Sequence, residues 1–311
     1  RAKVFEAVER LGYEYNALAG NFASGRTGLI GVAVDVANLM GSTYFSRLFE
    51  GIYHVLELAG FRVVIFDTAS AEFSDGPRLG RLVSQRRVDG LIAIVPSKNR
   101  STFLSSFKRH QTAVVLVGAR LPEATVPWVD LDNRHAIAML LDHLQRLGHR
   151  KIGFLAGPND ISDATERAEA FHSLRSERKL PWKAGWEQPG EFNLGHGREG
   201  ASAMLQLKDP PTAILAANDA SALGAHEAAR RSGLVPGIEV SIAGVDGSEL
   251  SEQADPPITT VTQPLTDMGQ RAATLLLAEI EGEPRENSSH IFQGRLLDRP
   301  STGPRPSSKK A

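Results

Sequence analysis

The chain has 311 residues, no Cys, 41% hydrophobic and 6% aromatic content, and 35 Lys and Arg against 36 Asp and Glu, for a net charge of −1. That length supports two ordinary globular domains; the lack of Cys excludes a disulfide scaffold and the usual structural zinc site, and no run approaches the roughly 18 apolar residues of a membrane helix. Charge is uneven along the chain: residues 1–27 carry +1, Arg299, Arg305, Lys309 and Lys310 stand without an acid at the end, and residues 28–298 are left at −6. A body of that sign does not bind a polyanion by itself, because non-specific nucleic-acid affinity comes from neutralising phosphates.

Val4, Val8 and Leu11 share one face of a short helix closed by Gly12, too short to be stable without a surface to pack on. Asn16 to Gly25 follows as a mini-helix that orders only when something stabilises it, since Gly20 and Asn21 are poor helix formers. Strand-like apolar runs come next at Leu29 to Val36, Arg62 to Phe66, Gly90 to Val95, Ala113 to Val117, Lys151 to Ala156, Ala213 to Ala217, Val240 to Val245 and Thr259 to Thr262. Amphipathic stretches separate most of them: Ser46 to Ala59, Pro77 to Gln85, Ala136 to Leu147, Ala164 to Arg178, Gly200 to Leu207, Ala222 to Ser232 and Leu265 to Glu281. Continuous apolar strands alternating with such helices predict an α/β fold with parallel sheets covered on both faces. The number of units predicts two sheets in two lobes, with a boundary near Leu147-Gly148-His149. Residues 301–311 are Pro, Ser, Gly and Lys with little to bury and read as a disordered tail.

Ligands of open parallel sheets bind outside the carboxyl ends of the strands. Those ends hold Asp35, Asp67, Asp132, Asn218, Asp219 and Asp246, acceptors and one mixed donor suited to a ligand with many hydroxyls. Asp and Asn are also the ordinary caps of helices after strands, and Asp219 reads as the cap of a helix beginning at Ala220. Gly195, Gly197 and Gly200 satisfy the GxGxxG spacing, but the residues from Gln188 to Asn193 are too polar and broken for the central strand that a dinucleotide site requires. No hydrolase elbow, phosphate loop or metalloprotease motif is present, so neither a cofactor nor a metal is expected. His143, His149, His172 and His226 lie in or beside helices and read as solvated surface residues without metal-ligand spacing.

Taken in order, Arg1 to Tyr13, Asn16 to Ser24, Gly28 to Val32, Arg87 to Ile92, Val129 to Asn133, Leu147 to Gly153, Leu155 to Pro158, Arg167, Ala217 to Asp219, Gly244 to Asp246 and Ile258 to Val261 resemble the lactose-repressor (LacI/GalR) family of bacterial transcription regulators. The resemblance spans essentially the whole chain. It implies two doubly wound, periplasmic-binding-protein-like lobes: residues 29–149 plus about 261–289 in the first, and 150–260 plus about 290–300 in the second. It implies that residues 1–28 are the last helix of a DNA-binding headpiece and a hinge helix, with roughly 40 to 50 further residues needed upstream to complete a three-helix reading head. In the hinge, Asn16, Ala19, Phe22 and Ala23 take the DNA-binding positions, Phe22 standing where a Leu wedge enters the minor groove.

The same resemblance assigns effector binding to Tyr44, Phe45, Asp132, Asp163, Arg167, Phe192, Asn218 and Asp246. Ile161 replaces the Arg of the purine-responsive member, which disfavours a purine. The implied protein is a cytoplasmic homodimer and not an enzyme: a repressor that binds operator DNA and responds to a sugar or sugar acid held between its lobes. The alternatives are a periplasmic sugar-binding protein of a transporter and an enzyme on the same fold.

Overall fold

The structure is a computed structural model that describes residue 10 and residues 26–36, 42–70, 81–82, 84–94, 113–120, 126–283 and 289–306. The hinge positions Asn16, Ala19, Phe22 and Ala23 lie outside the described residues.

The strands are β1 (Leu29–Val34), β2 (Arg62–Asp67), β3 (Gly90–Ala93), β4 (Val114–Val117), β5 (Trp128–Leu131), β6 (Ile152–Ala156), β7 (Glu187–Pro189), β8 (Ala213–Ala216), β9 (Ser241–Asp246), β10 (Thr259–Thr262), β11 (Ser289–Phe292) and β12 (Leu296–Leu297). The helices are α1 (Thr43–Leu58), α2 (Asn133–Arg146), α3 (Ser162–Glu177), α4 (Leu194–Leu205), α5 (Asp219–Arg231), α6 (Glu249–Gln253) and α7 (Leu265–Glu281). Among the described residues these strands form two six-stranded sheets, ordered β11-β5-β4-β3-β1-β2 and β12-β10-β9-β8-β6-β7. Every pairing is parallel except β10 with β12, so the α/β expectation of two doubly wound lobes holds. The interior strands β3, β4 and β8 are buried along their whole length, as continuous apolar runs must be when helices cover both faces. The polar Glu187–Pro189 does form a strand, but at the edge beside β6, where one side needs no partner.

The lobe boundary is not at Gly148. Ala136, Ile137, Leu140, Leu141 and Leu144 of α2 pack with Ile152, Phe154, Phe171, Leu215 and Val261, inside the second lobe. The first crossing therefore falls at Asp132 and Asn133. Gly148, at φ +88°, only turns α2 into β6 within that lobe. Both helix patterns look alike in sequence; which sheet covers α2 is a tertiary decision. The chain returns to the first lobe between β10 and α7 and crosses a last time between β11 and β12.

For residues 301–306 the disordered-tail reading also needs correction, while residues 307–311 lie outside the described residues. Ser301 is fully buried; its hydroxyl donates to the Ile242 carbonyl at 2.6 Å and accepts the Thr259 N–H at 2.8 Å. The Gly303 N–H donates to Ser241 Oγ at 3.1 Å, and the Arg305 N–H to the Leu147 carbonyl at 2.8 Å. His149, expected at the surface, is fully buried against this segment, with its ring nitrogens 2.9 Å from Thr212 Oγ1 and 3.0 Å from the Gly303 carbonyl. His143 and His226 are buried too, and burial lowers the pKa of all three. Small polar residues can be ordered by hydrogen bonds alone, which no hydropathy pattern reveals.

Of the GxGxxG glycines, Gly197 and Gly200 serve close packing. They lie within α4, and a β-carbon on Gly197 would strike the backbone of Ser221 in α5, while one on Gly224 would strike the Leu194 carbonyl. The helices cross at backbone contact. In the first lobe Gly51 of α1 and Gly269 of α7 do the same, against the Thr266 and Leu48 carbonyls.

Candidate functional site

A cleft of about 340 Å³ opens where the chain crosses between lobes. Its lining includes Tyr44 and Arg47 from the first lobe, Asp246 and Ser248 from the second, and Gln263 and Asp267 after β10. Asp246 ends β9 at φ +138°, a conformation costly for any side chain but Gly, and Gly247 follows at φ +70°. Strain of this kind is kept where surrounding contacts over-determine it, often at functional sites.

Arg167 of α3 organises a buried network behind the cleft residue Asp246. Only 2% exposed, it donates through Nε to Asn133 Oδ1 at 2.8 Å and through Nη1 to the Ala217 carbonyl at 2.7 Å. Asp246 Oδ1 lies 3.8 Å from Nη1 and Asp163 Oδ2 3.9 Å from Nη2, while the Phe192 ring sits 5.7 Å from the guanidinium carbon. Asn133 completes the arrangement by donating Nδ2 to Asp163 Oδ1 and to Glu166 Oε2, each at 3.0 Å. Its position at the start of α2, on the lobe crossing, joins the first sheet's exit to α3.

Behind Asp246 lies Asp219, fully buried. Its Oδ1 accepts the Thr260 hydroxyl at 2.6 Å, and its Oδ2 accepts the Ser248 N–H at 2.7 Å and hydroxyl at 2.9 Å. Asp219 thus braces the loop after β9. The cap of α5 is Asn218, whose Oδ1 accepts the Ser221 N–H at 2.9 Å, so the capping role expected of Asp219 belongs to its neighbour. Burial raises the pKa of Asp246 to about 7; the Asp219 charge adds to the rise, and Arg167 and a 2.7 Å bond from Gln263 Nε2 oppose it.

A second carboxylate group faces the first lobe. Asp130, fully buried on β5, has its pKa pushed up to about 9 by burial and by the charges of Asp163 and Glu166, against the pull of Arg120. Arg120, after β4, donates to Asp130 Oδ2 at 2.9 Å and to the Leu131 carbonyl, and reaches Glu166 across the lobes at 3.7 Å. Burial and the charges of Asp163 and Asp130 likewise raise the pKa of Tyr44, holding its phenol neutral.

Tyr44, Asp163, Arg167, Phe192 and Asp246 are thus brought to one region. Asp132 and Asn218 stand beside it as helix caps: Asp132 Oδ1 accepts the His135 N–H at 3.0 Å, and Asn218 Nδ2 donates to the Phe192 carbonyl at 3.3 Å. Burial tends to raise the pKa of Asp132, but bonds from His135 and Gln293 outweigh it, and the net shift is downward. Phe45 does not face the cleft. It is 5% exposed in the first-lobe core and stacks on Phe49 at 5.4 Å, because a helix turns adjacent residues about 100° apart. Asn133, Asp130 and Gln263 were missed. Asn133 follows the strand-end Asp132 flagged in the sequence, Asp130 stands two residues before it, and Gln263 follows β10; the available signal is a polar residue within two positions of a strand end.

The family described as periplasmic binding protein-like domain matches residues 141–302. The chain is 27% identical over 305 residues to the HTH-type transcriptional repressor CytR of Escherichia coli, covering 97% of this chain and 87% of that one. It is 28% identical over 306 residues to the HTH-type transcriptional regulator CelR of Thermobifida fusca, covering 97% and 89%. Among solved structures, the lac repressor bound to ONPG in its repressed state matches with a TM-score of 0.83 at 27% identity, covering 97% and 90%. A CelR–cellobiose complex matches with a TM-score of 0.78 at 27% identity, covering 96% and 89%.

Proposed function

Because the chain belongs to the LacI family of transcriptional regulators and carries its periplasmic-binding-protein-like domain, we propose that it is a cytoplasmic, homodimeric repressor whose grip on operator DNA is set by a sugar or sugar acid bound between the lobes. The relatives are regulators of transcription, which separates this reading from a transporter's binding protein and from an enzyme. The observation that carries the effector reading is the buried network of Arg167, Asn133 and Asp163 that reaches a cleft at the chain crossings through Asp246. Tyr44, Asp163, Arg167, Phe192 and Asp246 contact the effector in this reading, while Asp132 and Asn218 shape the cleft edge.

A ligand shifts DNA affinity only through its differential affinity for the two lobe arrangements, and a near-complete switch takes about 5.5 kcal/mol. Hydrogen bonds to charged groups contribute roughly 1.5 to 3 kcal/mol each, so two or three formed on closure suffice. Closure would alter the spacing of the two hinge segments of a dimer, and with it the fit of Asn16, Ala19, Phe22 and Ala23 to a two-fold operator. The test is a thermal-shift screen of sugars and sugar acids, followed by DNA-binding anisotropy with and without the hit. A stabilising sugar that also changes DNA affinity is the expected result; a panel without any rise in melting temperature overturns the assignment.

A further inference from the structure

We propose that the end of the second lobe away from the cleft is a sequence-independent DNA-binding surface, on which Arg146, Arg150, Lys179 and Arg305, flanked by Lys151 and Lys183, meet the phosphate backbone of a duplex segment other than the one at the hinge. This goes beyond the effector-controlled reading and does not depend on what the cleft binds.

Continuity of charge is the first observation. Arg146 closes α2, and the Arg305 N–H donates to the Leu147 carbonyl at 2.8 Å, which brings the C-terminal segment against the end of that helix. Arg150 Nη2 donates to the Lys179 carbonyl at 3.0 Å, joining the turn before β6 to the turn after α3. Lys151 and Lys183 both donate to Asp209, and those bonds hold its carboxyl below the ordinary carboxylate range. Among the described residues, Arg146, Arg150, Lys179 and Arg305 are exposed and pair with no carboxylate, since the nearby acids Asp142 and Glu177 are taken by Arg178 and Arg134, each at 2.9 Å. Cations at helix carboxyl ends offset the helix dipole, which accounts for Arg146 and Lys179 but not for Arg150, Lys183 or Arg305. The charge of −6 over residues 28–298 is thus an average, and this surface carries the opposite sign.

Position is the second observation. Lys151 directly precedes β6 and Asp209 stands before β8, so the cations gather at the amino edge of the second sheet, whereas the cleft residue Asp246 ends β9. The chain enters the first sheet by its own amino edge, where Asp89 accepts the Thr27 and Gly28 N–H groups, each at 2.7 Å. With the cleft between the carboxyl edges, the hinge side and the basic surface lie at opposite ends of the molecule. One straight duplex does not serve both.

Composition selects the partner. None of the large hydrophobic residues exposed among the described residues belongs to this run of cations. A protein interface needs an apolar core within its polar rim, while a phosphate backbone is held by Arg and Lys alone, which favours a duplex over an acidic protein.

Fluorescence anisotropy of the intact chain on a labelled duplex of random sequence, titrated with salt, tests this. At about 0.9 per neutralised phosphate, the four unpaired cations contribute about −4 to the slope of log affinity against log salt. Arg150→Gln combined with Lys179→Gln should make that slope shallower by about two and weaken binding about tenfold at roughly 50 mM salt. Arg295→Gln, which removes an exposed arginine between β11 and β12, should change neither. Thermal melts check that each variant folds, and lysine acetylation of the wild-type chain needs no variant: the duplex should protect Lys179 and Lys183. Unprotected lysines, an unchanged slope in the folded double variant, or displacement of the duplex by polyglutamate at equal charge, which would mark an acidic protein as the partner, would each overturn the assignment.

Discussion

The two lobes share a plan and divide the work. Each is a six-stranded doubly wound sheet, and each closes one helix pair through facing glycines, Gly51 with Gly269 in the first and Gly197 with Gly224 in the second. They differ in the buried networks beside the cleft. The second lobe holds a guanidinium at 2% exposure, cross-braced to Asn133 and a backbone carbonyl, whereas the first offers Arg120, a quarter exposed, against an Asp130 that burial pushes towards the neutral acid. The same architecture therefore supports a rigid, charged wall on one side and a softer, less charged face on the other. Pre-organisation of one wall lowers the cost of ordering polar groups when a ligand arrives.

Removing the guanidinium from each side gives the strongest test of that asymmetry. Arg167→Ala strands Asp163 and Asp246 in the interior and should cost about 3–5 kcal/mol by urea denaturation, with the ligand-induced rise in melting temperature lost as well. Arg120→Ala should cost about 1 kcal/mol, since Asp130 can stay protonated. Equal losses would break the distinction between the walls.

The glycine crossings predict symmetry instead. Gly51→Ala and Gly224→Ala each drive a methyl into a carbonyl of the facing helix, and each should destabilise by about 1–3 kcal/mol, at the upper end because backbone cannot step aside. A clear difference in thermal melts would show that one lobe repacks where the other does not.

The smallest expected effect is in pH. Asp246, with its pKa near 7, binds donors best when ionised, so affinity for a neutral hydroxylated ligand should rise about tenfold from pH 6 to pH 8. Because the folded pKa is raised above the ordinary carboxylate value, this group makes the unliganded fold less stable as pH climbs from about 4 through 7, while the same ionisation improves ligand binding. Asp132, whose pKa is lowered, would give no slope in that window. A flat affinity profile across pH 6–8 would remove Asp246 from the ligand's direct contacts.

The type and order of β1–β4, β6, β8–β10, α1–α5 and α7 followed from the alternation of apolar runs with 3.6-residue periodicity, because burial on both faces of a parallel sheet is written in consecutive residues; β5, β7, β11, β12 and α6, short or polar, left no such run. Leu265–Glu281 emerged with the bounds that its pattern indicates. The strand-end rule likewise led to Asp132, Asn218 and Asp246, since every parallel strand delivers its last residue to the same edge. What the sequence left open was decided by neighbours distant in the chain: that α2 packs on the second sheet, that Ser301 and His149 lock together, that Asp219 braces a loop while Asn218 caps, and that Phe45 turns inward while Tyr44 lines the cleft. Local patterns encode which residues must be buried. Only the folded chain sets which partner meets each buried polar group, because those hydrogen bonds join residues tens to hundreds of positions apart.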